Sequence, residues 1–483
     1  MRSSRVFVTT GALALAAAIS VVPTEVAGAA APSTEVVVPS SGVTVSGSQV
    51  VLDATASSGV TQVQFELVRG SPSNSVIVTA TPTLFGWLTY FNSITVPNGI
   101  YTLQSVATDS VGETSSSPSV TITVNNAPSA SLVTRFVDLL MGYGAYGALQ
   151  KNLYIPGVSL YQGLPSNSCD LYSCLWPFTN ATAGTDFLSG APGGWLVRAD
   201  VDARVAGLSH YADGAEVSPT GSPQPPAYES VVAPPLGPGG ATYYDDNAWV
   251  GLDLVHTYLL TSNASDLALA QDEFNFAVAG WDANTTGACP GGVFWEDVAN
   301  SQRNVTANGA SAELGLELDQ LTGNTSDLSW ATRMYQWAVT CLRTPGALYH
   351  DHVNADGSIN STLWTYNQGV MVGAGVLLYK LTGTSTYLTQ AEQTASAAVV
   401  YFGTGPTLIN QGPAFNAIYF RNLLFLNSVA PDDGYASQAQ SFGSSMWTQR
   451  QVATGLIDPQ YGVNGTAPMV EIYALLAGSS PAP

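Results

Sequence analysis

The stretch Tyr243 to Gly251 reads YYDDNAWVG and sets two adjacent carboxylates, Asp245 and Asp246, at the start of an apolar run. Ala248, Gly251, Leu252, Val255 and Leu259 follow at helical spacing. A helix start leaves backbone N–H groups unpaired, and Asp both caps such ends and suits the helix dipole. Capping is therefore the plain reading of the pair. The chemical reading is glycosidic-bond hydrolysis, which takes one carboxylic acid to protonate the leaving oxygen and one carboxylate as nucleophile or base. Consecutive residues at a helix start differ by about 100° in direction and ~1.5 Å in rise. That suits the ~5 to 5.5 Å of a retaining pair better than the wider gap that admits a water. Like charge raises the pKa of one member while the helix start favours ionisation of the other.

A repeat indicates which elements position the pair. TSNASDL at Thr261, TGNTSDL at Thr322 and TGTSTYL at Thr382 recur at spacings of 61 and 60 residues, each between an apolar and an amphipathic helix. The unit is a helical hairpin with a polar turn. Twelve helix candidates begin near Leu132, Leu175, Ala199, Asp246, Asp266, Ala307, Asp327, Tyr366, Thr386, Asn416, Tyr435 and Pro468. Six hairpins whose first helices run parallel can close into an inner ring, an all-α (α/α)6 barrel, with the inner N-termini at one mouth. Counting back 14 residues from each repeated Thr gives Asn247, Asn308 and Gln368, and counting back 15 gives Asp246, Ala307 and Asn367. These equivalent helix starts carry groups able to bind hydroxyls, so Asn247, Asn308, Asn367 and Gln368 are substrate-binding candidates. Tyr243, Tyr244, Trp249, Phe294, Trp295, Trp364 and Tyr366 add aromatic faces suited to sugar rings. Trp249, one turn into its helix, is read as packing, and Tyr244, Trp295, Trp364 and Tyr366 as binding candidates.

Composition limits the partner. Thirteen basic residues against 34 acidic give a net charge of −21, yet only 10% of residues are charged, where ~25% is usual. Nucleic acid and anionic lipid, which call for basic patches, are poor partners for such a surface; a neutral polysaccharide is a natural one. Arg2 and Arg5, an apolar run from Val6 to Val22 and Ala27-Gly28-Ala29 form a secretory signal, so residues 1–29 are expected to be removed and the product secreted. No later run is long enough to span a membrane, and a monomer is expected. Cys169, Cys174, Cys289 and Cys341 are even in number in an exported chain, which favours disulfides. The expected pairs are Cys169 with Cys174 and Cys289 with Cys341; the four His lack metal-ligand spacing, and neither metal nor cofactor is expected.

Between residues 33 and 126, eight alternating strands are punctuated by Gly, Ser, Pro and Asn, the texture of a β-sandwich. The polar stretch 127–131 is read as a linker, and 132–478 as the helical unit. PNGIYTLQSVATDSVGE and SPSVTITVNN resemble bacterial immunoglobulin-like modules.

LWPF at Leu175, PPAY at Pro225, PPLGPGG at Pro234, YYDDNAWVGL at Tyr243, GGVFW at Gly291 and WTYNQGVMVGA at Trp364 resemble glycoside hydrolase family 76, the endo-α-1,6-mannanases of bacteria and fungi. The resemblance spans about Leu132 to Gly478. It implies an (α/α)6 barrel, α-1,6-linked mannan as substrate, and Asp245 as nucleophile with Asp246 as general acid/base. LYHDHVNADGS resembles a family segment that places an acid in the cleft, here Asp351. Arg303-Asn304 departs mildly from the Lys-Asn frequent in relatives. Two rival readings stand beside this one: an inverting (α/α)6 glucanase with a distant base such as Asp458 or Glu471, and a non-catalytic mannan-binding or adhesive protein.

Overall fold

Alternation of apolar and polar residues over the first quarter of the chain produces two sheets that share one core. The computed structural model describes residues 31–480, apart from 48–49, 69–74, 84–85, 97–98, 125–131, 165–168, 170, 213–225, 288 and 299. The expected signal peptide and linker lie outside the described residues. The strands are β1 (Thr34–Val38), β2 (Val43–Val45), β3 (Val50–Ala56), β4 (Val60–Val68), β5 (Ser75–Thr79), β6 (Thr81–Thr83), β7 (Gly86–Phe91), β8 (Gly99–Asp109), β9 (Thr114–Ser116) and β10 (Val120–Val124). One sheet runs β1-β3-β7-β6, the other β2-β10-β8-β4-β5 with β9 on β8. Leu52 and Ala54 of the first meet Val63, Phe65, Leu103 and Ile122 of the second in a fully buried core. The two strands absent from the expected eight, β6 (TPT) and β9 (TSS), are three residues each and have no apolar alternation to reveal them.

From residue 132 the apolar period lengthens and helices follow: α1 (Leu132–Leu153), α2 (Leu175–Gly190), α3 (Arg198–Leu208), α4 (Tyr244–Thr261), α5 (Ala264–Ala279), α6 (Val305–Thr322) and α7 (Thr325–Cys341). After these come α8 (Thr365–Thr382), α9 (Ser385–Phe402), the single turn α10 (Pro406–Ile409), α11 (Pro413–Val429), α12 (Asp433–Thr448) and α13 (Val463–Ala477). Eleven of the twelve expected helix starts fall within a turn of an observed start, and the twelfth, Pro468, lies inside α13, which begins at Val463. Neighbour relations close α2, α4, α6, α8, α11 and α13 into a ring, each backed by an outer helix. The chain enters on an outer helix, α1, which packs against the last inner helix, α13. Inner helices approach closely where glycine replaces a side chain: a Cβ on Gly369 would stand 2.8 Å from the Tyr419 Cα of α11. Three inner helices end on a left-handed residue, Ser262, Gly323 and Gly383, at the repeated polar turns, and Asn263 and Asn324 then cap α5 and α7.

The ring interior holds carboxyl groups from several helices, Asp186 (α2), Asp253 (α4), Glu313 and Glu317 (α6) and Glu471 (α13), all buried. Arg421 of α11 lies 3.6 Å from Glu471. Burial outweighs the nearby cations and pushes Asp186 up to about 7 and Glu317 up to about 8. Such groups hold protons in the folded chain at pH values where the unfolded chain has lost them, so stability is full below the ordinary carboxyl range and falls as pH rises through 7 and 8. Among the described carboxyls with a displaced pKa only the exposed Asp356 is lowered. Thermal unfolding is therefore expected to give a higher Tm at pH 5 than at pH 8.5, and an equal or reversed order would contradict this assignment.

The β region packs on the far end of the ring, where β3 meets α11 and β6 meets α6. Lys380, near the end of α8, is sealed there with its Nζ 5.1 Å from the Phe425 ring centroid and 5.9 Å from that of Tyr90 on β7. Burial depresses its pKa to about 8 despite Glu317 of the ring and Asp53 of β3. All candidate catalytic groups lie in the helical region, so chemistry does not call for residues 33–126. Their deletion is nonetheless expected to lower the Tm of the remaining chain by several degrees, roughly as a loss of a few kcal/mol would, because it uncovers Lys380, Phe425 and the end of α6. An unchanged Tm would show that the contact is idle.

Candidate active site

Asp245 and Asp246 lie in the first turn of α4, but neither caps it: the N-cap is Tyr243, which makes no side-chain capping bond. Asp245 is 7% exposed. Its Oδ2 accepts a 3.1 Å hydrogen bond from Trp295 Nε1, and its Oδ1 accepts one from the Asp246 backbone N–H, also 3.1 Å. The Asn304 side chain, the N-cap of α6, bonds Asp245 as well. Burial raises the Asp245 pKa to about 7 while these donors hold it down. Asp246 has no such donor set; burial and then the charge of Asp245 drive it well above the carboxylate range. Of two adjacent acids, Asp245 is the one built to ionise and Asp246 the one built to keep its proton.

Near the starts of four inner helices aromatic rings stand in contact with one another. Tyr366 of α8 stacks on Phe415 of α11, centroids 4.0 Å apart and planes 6° from parallel. Trp364 meets Phe415 edge-on at 5.6 Å, Trp176 of α2 lies 6.4 Å from Phe415, and Trp249 of α4 lies 5.9 Å from Trp176. Trp176, Trp364, Tyr366 and Phe415 are part-exposed and Trp249 is buried. Burial, then Asp351, Asp245 and Asp246, push the Tyr366 hydroxyl up against a hydrogen bond with Thr306. Asp351 sits in the α7–α8 crossover between the short strands of this mouth, β13 (Arg303–Asn304), β14 (His352–Val353) and β15 (Ile359–Asn360). The remaining pair, β11 (Tyr154–Ile155) and β12 (Leu160–Tyr161), follows α1. Asp351 Oδ2 stands 2.9 Å from His352 Nδ1 and its Oδ1 accepts from Asn367 Nδ2 at 3.1 Å. Asn367 is fully buried and also accepts from Thr306 at 2.8 Å.

Four of the expected binding residues have another task. Asn247, Asn308 and Gln368 are fully buried, and each amide oxygen accepts from the backbone N–H of one crossover residue: Tyr228 at 2.7 Å, Val293 at 2.8 Å and Tyr349 at 2.8 Å. Each amide nitrogen donates to the carbonyl of that same residue and to the carbonyl four positions earlier in its own chain, Tyr243, Asn304 or Trp364. With both ends so engaged, these amides clamp crossovers to helix starts instead of meeting a sugar. Tyr244 turns outward, stacked 4.5 Å from Phe276 of α5 with its hydroxyl donating to Asp297. Trp295 stands at the mouth, against Tyr243 at 4.8 Å, but its N–H serves Asp245.

Residues that the sequence reasoning passed over are Trp176, Asn304, Thr306 and Phe415. LWPF and Arg303-Asn304 contain two of them, whereas Phe415 is marked only by its place near a helix start. Cys169 and Cys174 are joined as expected. Cys289 and Cys341 differ from expectation in standing as thiols, adjacent to each other.

Residues 235–454 match the family model described as Glycosyl hydrolase family 76. The chain is 33% identical over 149 residues to the mannan endo-1,6-alpha-mannosidase DCW1 of Saccharomyces cerevisiae, covering 29% of this chain and 32% of that one. Over 183 residues it is 30% identical to the Candida glabrata protein of the same description, covering 34% and 40%. It thus spans about a third of the length of these curated relatives. A family 76 glycoside hydrolase from a bovine Bacteroides thetaiotaomicron strain superposes with a TM-score of 0.60 at 20% identity, over 92% of this chain and 99% of its own. An α-1,6-mannanase of Salegentibacter, an inactive variant with two adjacent aspartates replaced and α-1,6-mannotriose bound, gives 0.55 at 18% identity, over 70% and 99%. The Asp-Asp helix start lies inside the matched segment, so residues 235–454 are similar to glycosyl hydrolase family 76 where the acid pair stands, and the helical fold is shared with solved members of that family.

Proposed function

We propose that this protein is a secreted glycoside hydrolase that cuts internal α-1,6-mannosidic bonds by a retaining two-carboxylate mechanism. In this reading its helical part is an (α/α)6 barrel and its front part an immunoglobulin-like sandwich. The observation that carries the reading is the unequal environment of Asp245 and Asp246 at an aromatic-lined mouth. The names of the curated relatives and the mannotriose held by the Salegentibacter enzyme support α-1,6-mannan as the substrate.

Asp245, ionised and held by Trp295, Asn304 and the Asp246 N–H, attacks the anomeric carbon. Asp246 gives its proton to the glycosidic oxygen, and the aglycone leaves. Asp246, now a carboxylate, takes a proton from water, which attacks the mannosyl–Asp245 ester and releases mannose-terminated product with its starting configuration. In this reading Asp351, held by Asn367, accepts hydrogen bonds from sugar hydroxyls. An inverting mechanism fits less well, because Glu471, one nominated base, is 1% exposed and paired with Arg421 inside the ring.

Incubation with linear α-1,6-mannan is expected to give short oligosaccharides with early loss of long chains; release of mannose alone from chain ends would overturn the endo assignment. Asp245→Ala should abolish turnover of every substrate. Asp246→Ala should keep the first step on an activated aryl mannoside, and azide should rescue it to an α-mannosyl azide. Azide rescue of Asp245→Ala to a β product, with Asp246→Ala inert, would exchange the two roles. Full activity on mannan in both variants, with folding unchanged, would show that the pair has only a structural role at the helix start.

Trp295→Phe tests the donor directly. Removing a hydrogen bond to the ionised form raises the Asp245 pKa, so the acid limb of kcat/KM, expected near neutrality, should move to higher pH. The plateau should fall roughly ten- to a hundredfold, as for a bond to a charged group worth about 1.5–3 kcal/mol. An unmoved limb would show that Trp295 only packs.

A further inference from the structure

The crossover between α5 and α6 lies on one face of α7. The Cys289 carbonyl accepts from Arg303 Nη1 at 2.8 Å and from Trp337 Nε1 at 3.4 Å. Trp337 stands four residues before Cys341, so the two share a face of α7. Close seating continues at Gly292, where φ is +88° and a Cβ would run into the Trp337 ring. The Cys289 thiol hydrogen-bonds that of Cys341, and both residues are part-exposed and therefore open to an oxidant. The chain already holds one oxidised pair, Cys169–Cys174, and a compartment that keeps such a bond does not keep adjacent accessible thiols reduced. A shared metal is a poorer use of the pair, since among the described residues no third His, Cys, Asp or Glu completes a ligand group.

We propose that Cys289 and Cys341 are a site of oxidation that closes a second disulfide, stapling the Trp295-bearing crossover to α7. The bond joins the two sides of the mouth, because the same crossover supplies the donor to Asp245 and the end of α7 leads into the segment bearing Asp351. A disulfide donor of the glutathione class carries out the step. One protein thiolate attacks the donor disulfide and expels a glutathione thiolate; the second attacks the mixed disulfide and expels another. Two protons leave the protein, its two sulfurs are oxidised, and two molecules of glutathione are formed.

The full chain, treated with oxidised glutathione, blocked with iodoacetamide and digested without reduction, should yield one cross-linked peptide containing Cys289 and Cys341, two hydrogens lighter than the separate peptides. Recovery of both cysteines alkylated, each joined to glutathione, or joined to Cys169 or Cys174 would overturn the proposal. The closed loop of about fifty residues should raise the Tm of the oxidised chain by roughly 5–10 °C. Cys289→Ser, Cys341→Ser and the double variant should each lose that same increment, because all three lack one shared bond. Additive losses, or no loss, would mean that the two thiols act only as separate packing groups.

Discussion

Two neighbouring carboxyl groups in the first turn of one helix, with little water to solvate them, are the arrangement the rest of the mouth has to accommodate. Desolvation acts on both, and repulsion forbids both from ionising together. The chain resolves the conflict by unequal supply of donors. Trp295, Asn304 and a backbone N–H all address Asp245, and none of them addresses Asp246. The difference in environment between two identical side chains therefore lives in residues about fifty and sixty positions further along, on the α5–α6 crossover and at the cap of α6.

Donors carried on a crossover are useful only if the crossover stays in place. Asn247, Asn308 and Gln368 meet this need three times over with the same chemistry. The task selects an amide: one extended residue presents both an N–H and a C=O, and a carboxamide alone among short side chains offers an acceptor and a donor side by side. A carboxylate at these positions would leave the carbonyl without a partner. With the crossovers fixed, the preceding position of each helix start is released for other work. There the chain places Asp246 on α4 and, on α8, Asn367, which holds Asp351.

The ring of helices was legible because its signals are local and repeated: an apolar period, a polar hairpin turn and near-equal spacing. The acid pair was legible for the same reason, since adjacency alone makes two carboxyls interact. What the sequence left ambiguous was the direction of side chains. Amides at one repeated address suit sugar hydroxyls and backbone clamps equally well, and only the fold shows that Asn308 has spent its bonding groups on Val293 and Asn304. Tyr244 and Tyr243 are neighbours on the chain, yet one packs against α5 and the other stands at the mouth with Trp295. Lys380 gave no sign of burial either, because its cover comes from strands nearly three hundred residues earlier.

The buried acids of the ring interior differ from the pair at the mouth in what surrounds them. Asp253, Glu313 and Glu471 lie deeper along the same helices, as buried as Asp245 and raised by the same desolvation. Arg421 is their common cation. One arginine cannot hold several buried carboxylates charged, and protonation relieves the rest at less cost than leaving them as unpaired ions. Burial by itself thus yields quiet, neutral acids. At the mouth the same burial acts together with hydrogen-bond donors aimed at one carboxyl, and it is the donors, not the dryness, that set Asp245 apart from Asp246.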